Sequence, residues 1–485
     1  MTMKIKRRLI ALLALAAAFM GISPANVQSA PNPDPRSLTI YQIMVASFIH
    51  DPAGAPGYTA MWGPDGHTKN GNLRGVISAL DYIRDLGANA IWLTPIFDSS
   101  KAAGGEKLQA TGYFTNDYFT VDPHFGTEAD LRELVKGAHD RGMYVFLDGV
   151  FGHHGGVTTP SPSGYTIDST VTGCDRADGG TGNVSYPGSL DYFKEVATWW
   201  IDNYDIDGWR LDQAYQAMQG GHNYWREIRA AVDSVTAARR ARGEQWGTLG
   251  YMVGEDWGDA ARINQGVYRD GGLLSAFDFE GKERISGPMQ SIADEGLLNG
   301  YADIELTLSS PTARGYLNDS VMPNLFLSNH DGYRLADHFD PAVPYYFERM
   351  MMRFAILAAY SGPITLYYGD ELSDRSFETE GGQKDNIGRT SGHLRATHPL
   401  KQQLHDYVAE VMKIRRDNPA MWRGDAAFET VETPLGEVFA VTKTDAATGN
   451  RVVLVFSDHY DSAPVSGVSE PVFVSPYKPV IIVNP

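Results

Sequence analysis

The sequence predicts a (β/α)8 barrel, with a short insertion after its third strand and a small all-β domain at its C-terminal end. Three observations predict it. Eight short runs rich in β-branched and aromatic residues alternate with amphipathic segments over most of the 485 residues, as in βα units around a parallel sheet. Acidic residues gather where four of those runs end. Past residue 403 the alternation gives way to short β-type segments alone.

The first thirty residues stand apart from this pattern. Lys4, Lys6, Arg7 and Arg8 make a positive start, residues 9–20 an apolar stretch, and small residues over 23–30 a cleavage region. Residues 1–30 therefore read as a secretory signal, because the apolar stretch is shorter than the roughly 20 residues a membrane span needs. Cys174 is the only cysteine, so no intrachain disulfide can form and no cysteine near the cleavage region can carry a lipid. The expectation is a secreted or periplasmic protein.

The barrel is expected over residues 31–400. Its strands are read at residues 38–45, 90–96, 144–150, 207–213, 251–257, 273–279, 323–329 and 363–368. Helical periodicity falls between them at 75–86, 128–141, 192–204, 223–241 and 346–360, with Thr127 before "EADL" as an N-cap. Residues 153–189 are rich in Gly, Pro, Ser and Thr and read as an inserted loop or minidomain. Residues 401–485, a last helix at 405–416 followed by "EVFAVTK", "RVVLVFS" and "PVIIVNP", read as a β-sandwich-like domain. Eight strands closing on themselves make the TIM-barrel architecture.

Charge narrows the partners. With 41 basic and 59 acidic residues the net charge is −18, which repels nucleic acid and anionic membranes but not a neutral substrate. A monomer with no required cofactor is expected.

Asp148, Asp212, Glu255 and Asp331 end the third, fourth, fifth and seventh strand runs, and in a barrel those ends converge on one face. Four carboxylates in one cleft repel one another and are costly to bury, so a purely structural role does not account for them. His153 and His330 accompany them. A metal cluster is the alternative reading, but no HxH or HExxH spacing supports zinc. A carboxylate pair suits glycoside hydrolysis, with one ionised group attacking the anomeric carbon and one protonated group serving the leaving oxygen. Arg210 and Asp212 lie two apart on a strand and share a face, so the guanidinium is expected to hold Asp212 ionised. Glu255, close to Trp257 and the apolar "YMVG", is expected in drier surroundings that raise its pKa.

Six motifs in order carry a resemblance: "GANAIWLTPIF", "LDGVFGHH", "DGWRLD", "GEDW", "FLSNHD" and "GPITLYYGDE". Together they resemble the α-amylase family, glycoside hydrolase family 13, over nearly the whole mature length. The resemblance implies that Asp212 is the nucleophile, Glu255 the general acid/base and Asp331 a transition-state stabiliser. It implies further that Arg210, His153 and His330 position the nucleophile and the sugar, that Asp148 holds the third-strand loop, and that Tyr113 in "TGYFTNDY" lies under the sugar. Among the tryptophans, Trp62, Trp209 and Trp257 are candidates for sugar stacking and Trp92 for core, while Asp370 and Glu371 are expected to be structural, contributing to the rim after the last strand.

Two departures qualify the resemblance. Many members bind calcium between barrel and insertion through an Asn before the third-strand histidine and a Lys-His pair after the nucleophile motif; here those positions are Gly152, Tyr215 and Gln216. The usual calcium site is therefore expected to be missing or rebuilt, with the acidic and amide-rich loop at 51–72 as another place for the ion. Tyr215 and Gln216 are expected on the acceptor side of the cleft. Ala110, where exo-acting members carry an Asp three residues before the platform tyrosine, leads the expectation toward an open, endo-acting cleft and an α-amylase acting on internal α-1,4 bonds. The alternatives are an α-glucosidase, a cyclodextrin-hydrolysing enzyme or a glucanotransferase, and, from another class, a glucan-binding protein without catalysis.

Overall fold

The computed structural model describes residues 31–62, 70–102, 104–172, 182–292, 300–376 and 386–485. The expected leader, residues 1–30, and Cys174 lie outside the described residues.

Eight parallel strands form in the expected runs: β1 Thr39–Ile43, β2 Ala90–Leu93, β3 Tyr144–Gly149, β4 Gly208–Leu211, β5 Tyr251–Gly254, β6 Ser275–Ala276, β7 Leu325–Phe326 and β8 Ile364–Tyr367. Their order is β6-β5-β4-β3-β2-β1-β8-β7. A parallel bridge from Phe277 to Asn324 joins the two outer strands, so the sheet closes into a barrel. β7 is shorter than expected, and Pro323 just before it has no N–H for the ladder.

The two-residue period of the strands sorts the side chains. Ile40, Ala90, Trp92, Tyr144, Phe146, Tyr251, Val253, Phe277 and Phe326 pack together inside the barrel. Tyr41, Ile91, Val145, Trp209 and Met252 point the other way, into the core beneath the helices. The same parity that turns Phe146 and Val253 inward carries Asp148 and Glu255 to the top of the barrel.

The helical layer comprises α1 Leu73–Asp85, α2 Glu128–His139, α3 Leu190–Tyr204, α4 Trp225–Ala241, α5 Ala260–Gln265, α6 Phe279–Ser286, α7 Tyr301–Leu308 and α8 Tyr346–Ala359. Thr127 caps α2 in a reciprocal capping box with Asp130, an arrangement that contributes about 1 kcal/mol. Among the described residues, no helix is long and apolar enough to cross a membrane.

Within the inserted segment, short strands at His153–His154, Gly182–Val184 and Ser169–Thr172 pair antiparallel in that spatial order. Residues 173–181 lie outside the described residues. Helix α9, Pro399–Asp417, buries Leu404, Val408, Val411 and Met412 in the same core as the barrel helices. It completes the helical layer rather than opening the tail. The all-β part begins at β9 Asp425–Thr433 and continues through β10 Gly436–Thr444, β11 Arg451–Phe456 and β12 Val480–Val483 in one antiparallel sheet. A valine-rich core separates that sheet from the hairpin of Asp461–Ala463 and Val472–Val474.

Candidate active site

A cleft of about 400 Å³ opens at the C-terminal ends of the barrel strands, lined among others by Tyr113, His153, Asp212, Glu255, His330 and Asp331. Beneath it, one guanidinium organises three carboxylates. Asp148 and Arg210 are direct neighbours across β3 and β4. Arg210 Nη1 donates to Asp148 Oδ1 and to Asp212 Oδ1, each at 2.9 Å, and Nη2 lies 2.9 Å from Glu255 Oε1. Asp212 is one residue beyond β4, yet its N–H still bonds Gly149 O, so the strand ladder fixes its position.

Arg210 occupies only one oxygen of Asp212. The other, Oδ2, is buried, accepts no hydrogen bond from the described residues, and lies 3.9 Å from His153 Nε2. Glu255 is held at both oxygens: the N–H of Gln213 donates to Oε2 at 3.0 Å and the Trp257 indole to Oε1 at 2.9 Å. Gln213 makes that contact from a left-handed backbone, φ 39°, immediately after Asp212. Left-handed geometry is uncommon for a non-glycine residue, and such strain collects at functional sites.

The electrostatics follow from three buried acids around one cation. Burial raises Asp212, and Asp148 and Asp331 add repulsion, so the pull of Arg210 does not keep the carboxyl low; it stands at about 6. Arg210 lowers the carboxyl as expected, but desolvation is the larger effect, so the value ends above the usual carboxylate range. Burial likewise raises Glu255, with Asp212 and Asp331 repelling, to about 7. Trp257 does more than dry this carboxyl, since its indole N–H also donates to it. Asp148 is raised too, chiefly by burial, against Arg210 and the Tyr113 hydroxyl.

Asp331 behaves in the opposite sense. Burial alone would raise it, but His330 and the guanidiniums of Arg389 and Arg210 outweigh that and hold it at about 2. Burial depresses His330 to about 3, so its ring is neutral at pH 7. The lasting positive charge beside Asp331 is Arg389, whose Nη2 lies 2.9 Å from Oδ1.

Tyr113 ties the two sides together. Its hydroxyl donates to Asp148 Oδ2 at 2.8 Å and lies 2.8 Å from His330 Nε2, while Gln42 Nε2 donates to His330 Nδ1 at 2.6 Å. Trp92 is buried as expected and also donates to Asp148 Oδ2 at 3.0 Å.

Several expected positions differ. Gln216 does not line the cleft; it lies behind His153, its Oε1 3.0 Å from His153 Nδ1, while Tyr215 alone of the pair stands at the cleft, 40% exposed. Trp209 is no stacking residue: it is fully buried and donates to Ala197 O. Trp62 is at the cleft edge. Asp370 and Glu371 are not at the rim but buried, bound respectively by Ser328 and Arg334 and by the hydroxyls of Tyr41 and Tyr82. In the loop at 51–72, the Asn72 side chain is committed to Gly75 N, Asp51 O and Ala55 O. Residues 63–69 of that loop lie outside the described residues. Sequence reasoning missed Arg389, Gln213 and Arg262, all of which line the cleft. Only the position of Gln213, directly after "DGWRLD", offered a signal.

The comparisons agree with this geometry. A model of the alpha-amylase catalytic domain matches residues 42–161 and 187–429. A cyclomaltodextrinase of Geobacillus thermopakistaniensis (strain MAS1) is 29% identical over 463 residues, covering 87% of this chain and 69% of that protein. Another, of Thermoanaerobacter pseudethanolicus, is 30% identical over 457 residues, covering 86% of this chain and 70% of that protein. A crystal structure of AmyP in complex with maltose is 33% identical, with a TM-score of 0.76, covering 93% of this chain and 96% of that one. The matched residues run from the end of β1 through β8 and include every residue of the carboxylate cluster, and the chain belongs to the alpha-amylase family of glycoside hydrolases.

Proposed function

We propose that this protein is a retaining hydrolase of α-1,4-glucosidic bonds that acts on soluble maltodextrins, both linear and cyclic. The observation that carries this reading is the geometry around Arg210. One guanidinium holds Asp212 and Glu255 together, which suits the roughly 5 Å spacing of a retaining pair, and leaves Asp212 Oδ2 unbonded beside the open cleft.

In this mechanism Asp212 Oδ2 attacks the anomeric carbon and forms the new C–O bond. Glu255 delivers its proton to the glycosidic oxygen as the old bond breaks. A raised pKa keeps that proton available near neutrality. Glu255, now ionised, takes a proton from water, the water oxygen bonds the same carbon, and Asp212 leaves, so the configuration is retained. Asp331, held ionised by Arg389, binds the sugar hydroxyls together with His153 and the neutral ring of His330, and Tyr113 lies beneath the sugar ring.

The substrate class is supported by the two cyclomaltodextrinase relatives and by the maltose held in AmyP. A second reading, an α-amylase cutting inside starch, is favoured by Ala110, which is buried and places no carboxylate at the end of the cleft. Export to the periplasm or medium belongs to the proposal through the leader-like residues 1–30. Digests of β-cyclodextrin, maltotriose and soluble starch, followed over time, separate the readings. The proposal expects cyclodextrin to be opened at least as fast as starch is cut. Starch alone losing length rapidly would favour the second reading, and products longer than the substrate would indicate glucanotransfer. No glucan turnover at all would refute both hydrolytic readings.

A further inference from the structure

The inserted segment and the nucleophile loop meet where the family's calcium ion would sit, and the described residues there do not fit that ion. Calcium takes 6–8 oxygen ligands at about 2.3–2.6 Å. Gly152 brings no side-chain oxygen, and the space where its side chain would point is filled: a Cβ at 152 would lie 2.1 Å from Gln216 Oε1 and 2.3 Å from Gln216 Cβ. The backbone of Gly152 is not left-handed, so glycine is required there for space and not for its conformational freedom.

Gln216 uses every polar atom of its side chain. Its Oε1 can only accept, so the contact at 3.0 Å fixes the hydrogen of His153 on Nδ1 and turns Nε2 toward Asp212. Its Nε2 donates to Gln213 Oε1 at 3.2 Å, on the residue whose own N–H holds Glu255. The backbone continues the link: Gln219 Nε2 donates to Gln216 O at 3.0 Å and to Val184 O at 2.8 Å, while Gln219 Oε1 accepts from Tyr186 N at 3.0 Å. Val184 N returns to Gly152 O at 3.0 Å. The circuit runs from the strand-three loop through the inserted sheet to the loop after β4 and back.

We propose that Gln216 is a positioning residue that clamps His153, the nucleophile loop and the inserted sheet together without a metal ion, in a space that Gly152 leaves for it. The inference rests on the reading that His153 and Asp212 face the sugar, and it adds the residue that orients them.

The test uses the full-length protein. Gln216→Met keeps the volume and loses the amide; kcat on maltotriose should fall by about ten- to hundredfold with Tm nearly unchanged, as expected when a misplaced group slows chemistry. Gly152→Ala, Gln216→Ala and the double variant form a cycle in kcat/KM and in Tm. Gly152→Ala alone should be damaging, and the double variant should be no worse than Gln216→Ala, since the clash is gone. Any shift of Tm between chelator and added calcium should be the same in the wild type and in Gln216→Ala. Unchanged kcat in Gln216→Met, single losses that multiply in the double variant, or a calcium shift of Tm that disappears in Gln216→Ala would each overturn the clamp. Should the wild type turn over no glucan, the functional reading falls, and the Tm cycle and the calcium comparison still decide the clamp.

Discussion

On the floor of the cleft, Asp148, Arg210, Asp212 and Glu255 rise from three neighbouring strands and share one guanidinium. On the wall beside it, Gln213 and Tyr215 hang on the loop after β4, the Tyr215 hydroxyl donating to Gln213 Oε1, while Gln216 lies behind them against His153. Strand pairing fixes the register of the floor and buries charge there. The wall has no ladder beneath it, and the Tyr215 ring stands 40% exposed with its hydroxyl on Gln213, away from the reacting carboxylates. Reaction type therefore resides in the floor, and substrate and product choice in the wall.

Breaking the floor should have the largest effects. Asp212→Asn removes the attacking oxygen and should lower kcat by about 10⁴-fold or more, the scale seen when a covalent nucleophile is lost. Retention of near-normal turnover would remove Asp212 from the role. Glu255→Gln should lower kcat by about 10²- to 10⁴-fold on maltotriose. The loss should be far smaller on an aryl maltoside whose leaving group needs no proton, and equal losses on both substrates would argue against an acid role.

The floor also dictates a narrow pH range. Asp212 attacks only when ionised, so activity falls as pH drops below about 6. Glu255 donates only when protonated, so activity falls as pH rises above about 7. A profile of kcat/KM reads these as the two limbs of the coupled pair in the free enzyme. A flat profile from pH 5 to 8 would contradict the burial argument.

Changing the wall should do least to rate and most to pattern. Tyr215→Ala removes an exposed ring that faces Arg262 at 5.6 Å. Its kcat on maltotriose should stay within about threefold of wild type, the scale of an exposed contact, while the distribution of products from longer maltodextrins shifts. A loss as large as that of Glu255→Gln would erase the distinction between floor and wall.

The two regions were also unequally legible in the sequence. The ends of the strand runs located Asp148, Asp212 and Glu255, and the period of two set Arg210 beside Asp212, because strand limits and parity are local properties that barrel closure leaves intact. The pKa of Asp212 was not legible, since it depends on how much solvent the finished fold removes. Arg389 reaches Asp331 from a loop 58 residues further on, and no local pattern announces that contact. Gln216 was expected at the cleft because, with Tyr215, it stands where many family members carry a Lys-His pair; the space beside Gly152 that draws it inward exists only once the insertion has packed. Trp209 was offered for stacking because aromatic residues serve both core and sugar, and only the outward parity of β4 decides between them.

The central claim, a double displacement with Asp212 as nucleophile, is tested most directly by trapping the covalent intermediate. Glu255→Gln incubated with a fluorinated maltosyl fluoride, which forms a glycosyl-enzyme quickly and breaks it down slowly, is digested and analysed by mass spectrometry. The expected result is one added glycosyl group on the peptide that contains Asp212, absent from the Asp212→Asn, Glu255→Gln double variant. A glycosyl group on a different residue, or turnover of that substrate with inverted configuration and no adduct, would contradict the account.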